Sequence, residues 1–163
     1  MFKIGEMVIY SVHGVCVIDD ICERTFRGET KSYYVMHPKN NSSLIINIPV
    51  DNDKVSMLKT LDKGEAKELL QTFKEPGISW VQDVRQRYKK FSKLVQTGSR
   101  LEICNVVNTL MRKQNDVEKD NKKLSVQDLK LLENTQNILF TDLALALDTT
   151  PEKISKKVHQ IIE

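Results

Sequence analysis

The sequence predicts an α+β protein of two domains, a small bent sheet or barrel followed by an all-α compact helical bundle. Two changes along the chain support this. Up to about residue 60, short runs alternate apolar and polar residues at the strand period, and beyond it apolar residues recur at helical spacing. Charge also changes: Lys and Arg equal Asp and Glu over residues 1–74, so the whole net charge of +3 lies after them. The predicted boundaries are 1–61 for the β domain, 62–76 for a helix and linker, and 77–163 for the helical domain.

GEMVIYSVHGVCVIDDIC supplies two β-rich runs broken at His13-Gly14. KSYYVMHP and SLIINIPV follow across the turn-like KNNS, with RGET as another turn and KVSMLKTL as a short last strand. Phe2, Ile4, Val8, Tyr10, Val17, Tyr34 and Ile48 are expected to fill the β core. Asp62 with Glu65 makes a capping box before AKELLQTF, and Glu75-Pro76-Gly77 stops that helix. Ser79 with Gln82 fits the start of a helix running to Gln96. Ser99 with Glu102 starts RLEICNVVNTLMRKQ, and NDVEKDNKK reads as a solvated connection. Ser125 with Asp128 opens LSVQDLKLLENTQNILFTDLALAL, whose Leu129, Leu132, Ile138 or Leu139, and Leu143 share a face. Thr150-Pro151 starts the last helix.

Composition narrows the function. With 40% hydrophobic and 29% charged residues, the chain suits a globular protein with one or two cores. No run approaches the roughly 20 apolar residues of a membrane span, and the N-terminus alternates like a strand, so a cytoplasmic protein is expected. Cys16, Cys22 and Cys104 form no C-x-x-C pair. His13, His37 and His159 have no partner at metal spacing, and no G-x-S-x-G or Gly-rich phosphate loop occurs. No cofactor, no metal and no enzymatic reaction is expected.

The informative stretch is GISWVQDVRQRYKKF. Between Val84 and Leu101 stand Arg85, Arg87, Lys89, Lys90, Lys93 and Arg100, with no acid. Such a one-signed block suits a polyanion. If Ser79 caps the helix, Trp80 sits at its mouth, where the indole could stack on or wedge between bases while the cations hold phosphates. Unstacking costs a few kcal/mol, and stacking returns roughly 1–3 kcal/mol per base. That balance favours a duplex already opening. The competing interpretation makes Trp80 a core residue and the cations a solvated face.

In order along the chain, MFKIGEMVIYSVHGVCVIDDI, RGETKSYYV, the I-x-I-P of Ile46–Pro49, RQRYKKFSKLVQTG and EICNVVNTLMRK resemble the CarD/CdnL family of bacterial RNA polymerase-binding transcription regulators. The resemblance covers nearly the whole chain. It implies a Tudor-like β domain that docks on the RNA polymerase β subunit, with Arg24, Ile46, Asn47, Ile48 and Pro49 on the docking face. Arg24 matches a polymerase-facing arginine of the family, and Asn47 replaces a second one. The resemblance also implies a helical half lying on promoter DNA at the upstream edge of the transcription bubble, where a family tryptophan wedges and prolongs the open complex. The candidate DNA contacts are Trp80, Arg85, Arg87, Lys89, Lys90 and Lys93. Arg87, Tyr88 and Lys89 match the family's R-Y-K core. Val84 stands where the family has its tryptophan, and Trp80 comes one turn earlier. A helix lengthened by that turn, roughly 5 Å, would keep Trp80 at its mouth. The alternative is a polymerase-binding adaptor without a wedge.

Overall fold

The computed structural model describes residues 1–55 and 57–163, and the chain divides into two compact units, Met1–Thr60 and Leu61–Glu163. Ser56, inside the last predicted strand, lies outside the described residues.

The first unit is a five-stranded antiparallel sheet: β1 (Met7–Tyr10), β2 (Gly14–Phe26), β3 (Glu29–Pro38), β4 (Ile46–Pro49) and β5 (Met57–Lys59). Their order is β4-β3-β2-β1-β5, so β4 and β5 are the edges. The pleat selects one face. Val8 opposes Cys16 and Ile18 opposes Met36, and these four side chains join Tyr34 and Ile48 in the core. Phe2 and Tyr10 pack against that cluster, as the sequence suggests. Val17 falls on the opposite face of β2 because side chains alternate, and Ile4 precedes β1 and is 60% exposed; neither is in the core. The register slips between Ile18 and Asp20, a bulge that leaves Asp19 and Asp20 both at the surface. Asp19 uses that position to meet His37 Nδ1 at 2.7 Å.

Beyond the bulge, β2 and β3 continue as a two-stranded ribbon whose residues 23–32 are all exposed. Phe26 pairs with Glu29, leaving the two-residue turn Arg27-Gly28, both with positive φ (52° and 78°). Glycine suits the second of these positions.

The second unit holds α1 (Lys63–Gln71), a 3₁₀ turn (Thr72–Lys74), α2 (Val84–Thr97), α3 (Arg100–Lys119), α4 (Val126–Ala146) and α5 (Pro151–Ile162). Four predicted caps form: Asp62, Ser99, Ser125 and Thr150 each accept from the backbone N–H three residues on. The segment 62–76 is part of the helical unit, since Ala66, Leu70 and Phe73 enter its core. α3 is longer than expected and absorbs NDVEK, the first part of the supposed connection. It is the central helix: residues 106–111 are buried in succession, and it packs against the other four helices. Leu101, at its first turn, is 49% exposed. The core thiols are inert: burial pushes Cys16 up to about 11 and Cys104 up to about 12.

Candidate functional site

α2 starts four residues later than Ser79 would place it. Asp83 is the cap, its carboxylate accepting from Gln86 N at 2.9 Å, and Val84 is the first helical residue. An Asp is a strong N-cap, and its charge suits the helix dipole. The expected extra turn is therefore absent. Val84, 40% exposed, stands at the helix mouth, and Asp83 already occupies the anion position there.

Residues 75–83 form a loop held down from α3. Asn108 Nδ2 donates to Glu75 O (2.8 Å), Ile78 N donates to Thr109 Oγ1 (2.9 Å), and Arg112 Nη2 donates to Phe73 O (2.6 Å). Gly77 permits the close approach: its φ is +82°, and a Cβ there would lie 2.5 Å from Thr109 Oγ1.

The loop delivers Trp80 onto the helical core rather than past a helix end. The indole meets the Phe91 ring edge-on (centroids 6.2 Å apart, planes at 70°). The Arg87 guanidinium carbon lies 4.1 Å from the indole centroid, and Lys113 Nζ lies 5.2 Å from it. Trp80 is half-buried and held by contacts on several sides. The projecting wedge expected at a helix tip is not the geometry found.

Arg87 departs further from expectation. It is 4% exposed and points inward. Nε and Nη2 form a two-point pair with Asp128 (3.0 and 2.6 Å), and Nη1 donates to the carbonyls of Val81 and Gln82 (2.7 and 3.2 Å). Asp128 also accepts from the hydroxyl of its own cap, Ser125, at 2.7 Å. Arg87 is thus committed to joining α2, α4 and the Trp80 loop, and is not free for a phosphate. Sequence spacing gave no signal of this pair, because its members are 41 residues apart.

The remaining predicted cations fare differently. Arg85, Lys89, Lys90 and Lys93 are all exposed on α2, with no carboxylate at ion-pair distance among the described residues. Phe91 and Val95 turn toward the core, while Val84 and Tyr88, which share their helical spacing, lie 40% and 42% exposed beside the basic face. That surface is cationic with an apolar margin. Arg100 is withdrawn from it, its Nε bonded to the buried Asp142 at 2.7 Å.

In the β unit, Arg24 sits exposed on the ribbon opposite Lys31. Ile46–Pro49 is the edge strand β4, paired with β3 on one side. Ile48 is buried in the core, so a partner at that position would meet backbone, whereas the Asn47 side chain is exposed. Among the described residues no cluster of three or more His, Cys, Asp or Glu could hold a metal, and no helix is long and apolar enough to cross a membrane.

Both units match family models. Residues 2–61 match the CarD-like/TRCF RID domain, and residues 68–159 match the CarD C-terminal domain. The chain is also 28% identical over 155 residues to the candidate transcription factor YdeB of Bacillus subtilis (strain 168), covering 94% of this chain and 97% of that protein. Together these define a transcription regulator of the class that interacts with RNA polymerase. The chain belongs to the CarD family.

Proposed function

We propose that the chain is a non-enzymatic cytoplasmic regulator that docks on the RNA polymerase β subunit and stabilises the open promoter complex from the upstream edge of the bubble. Docking uses the exposed ribbon bearing Arg24 and the free edge of β4 at Ile46–Pro49, where a partner strand can add by β-augmentation. The helical unit lies on DNA through Arg85, Lys89, Lys90 and Lys93.

The observation that carries this proposal is the state of the charges on α2. The helix keeps four cations at the surface with no carboxylate at ion-pair distance among the described residues, and turns the fifth, Arg87, inward as a brace. Exposed unpaired cations suit phosphates, and phosphate contacts position a protein on DNA without reading sequence. The wedge is subtracted from the family picture, because Trp80 is braced against Phe91 and Arg87. DNA is held by charge, with Val84 and Tyr88 offering a modest apolar margin.

The test is open-complex lifetime on a promoter with purified polymerase. Lys89→Glu with Lys93→Glu shortens the lifetime while polymerase β-subunit capture is unchanged, and Arg24→Glu abolishes capture. Trp80→Phe, which keeps an aromatic ring against Phe91, leaves the lifetime nearly unchanged. A large loss with Trp80→Phe, together with none for the paired charge reversal, would return the role to a tryptophan wedge. Unchanged lifetimes with all variants, with capture intact, would favour the adaptor without a DNA contact.

A further inference from the structure

The helical unit carries a second basic feature, away from α2. A cleft of about 690 Å³ is lined by α1, by Leu147 and Thr149 of the connection after α4, and by α5. Four lysines line it, Lys67 on α1 and Lys153, Lys156 and Lys157 on α5, and its lining includes no Asp or Glu. Among the described residues none of the four is within ion-pair distance of a carboxylate. Another cleft of this unit is mixed, its lining holding Arg112, Lys119 and His159 together with Asp116, Glu118 and Glu163.

The floor has a different character. It is formed by Leu70 and Ile154, both buried, and the half-buried Leu147 and Ile161. α5 divides its faces sharply. Ile154, Val158 and Ile162 enter the core, which leaves the lysines on the cleft side at helical spacing.

We propose that this cleft docks an acidic amphipathic segment of a partner protein, its apolar side chains on Leu147 and Ile161 and its carboxylates on the lysine rim. An apolar floor inside a cationic rim is complementary to a helix with one apolar and one acidic face. A nucleic-acid backbone would satisfy the lysines but leave the apolar floor facing water, so the peptide is the better occupant. The surface is independent of α2, and its failure would leave the proposed function standing.

The full chain, isotope-labelled for amide NMR, is titrated with a synthetic helix of about four turns carrying Leu on one face and Glu on the other. Shifts are expected at Lys67, Thr149, Lys156 and Gln160, and Lys153→Glu with Lys156→Glu is expected to weaken binding at least about tenfold. Lys130→Glu, an exposed lysine outside the cleft, leaves it unchanged. A peptide with Gln for every Glu binds much more weakly. The proposal is overturned if the acidic peptide leaves these amides unmoved, if the cleft variant binds as well as the natural chain, or if the Gln peptide binds as tightly. It is also overturned if duplex DNA occupies the cleft in preference to the peptide.

Discussion

At the scale of single residues, two buried ion pairs set the tolerances of the helical unit. Arg87 and Asp128 meet through two bonds, and the arginine is further held by two carbonyls, so each charge is well satisfied. Removing one partner leaves the other charged in a dry site, which costs about 3–5 kcal/mol. Asp128→Ala should lower the urea midpoint accordingly, whereas Arg87→Met with Asp128→Leu should recover most of the loss. A double variant as unstable as the single one would show that the carbonyl contacts of Arg87, not the pair, hold the loop. Arg100 and Asp142 meet through one bond only. Burial raises the Asp142 carboxyl above its ordinary 3.8, and the opposing pull of Arg100 does not cancel this. In the window just above 3.8 the folded protein keeps a proton that the unfolded chain releases. The stability linked to that proton is complete below 3.8 and is lost as pH rises through the folded value. Asp142→Asn should flatten the stability profile across that window, measured by urea unfolding at successive pH values. An unchanged slope would place the titration elsewhere.

At the scale of elements, local chemistry decides where helices start. Asp62, Ser99, Ser125 and Thr150 were legible because each precedes an apolar-periodic run and needs only its own next turn to act. Ser79 has the same local signature but no helix after it, because the loop is held by Asn108, Thr109 and Arg112, some thirty residues away in sequence. Tertiary bonds to α3 outweigh a capping box there. The strand alternation was legible too, apart from the side of β2 that faces the core, which depends on which partner strands cover it. For the candidate site, the exposed cations of α2 followed from composition. The inward turn of Arg87 did not, since nothing near it in sequence announces Asp128. Asp83→Ala should therefore cost about 1 kcal/mol in thermal or urea unfolding, and Ser79→Ala less than about half of that. Equal losses would mean that the serine also anchors the loop. Gly77→Ala should destabilise more than Ser79→Ala, because it forces a strained φ and a clash with Thr109 together.

At the scale of the whole molecule, the two units are unequal. The helical unit has a large contiguous core running from Leu61 to Ile162. The β unit spans residues 1–60, and its core cluster holds six buried side chains among the described residues, with a long ribbon that adds strand pairing and no core. A domain of that length buries only about 60% of the surface its unfolded chain exposes, which makes it marginal. Each unit owns its core, so each should unfold as its own cooperative step, the β unit at lower urea. The sequence supplies the means to separate them, because Trp80 is the only tryptophan and belongs to the helical unit. Its fluorescence should change at the later transition, together with helical circular dichroism, while amide protection at Val8 and Ile18 is lost at the earlier one. Expressed alone, residues 61–163 should keep the fluorescence midpoint of the full chain. A single midpoint for all three probes, or a large drop for the fragment, would show that the units stabilise one another and unfold together.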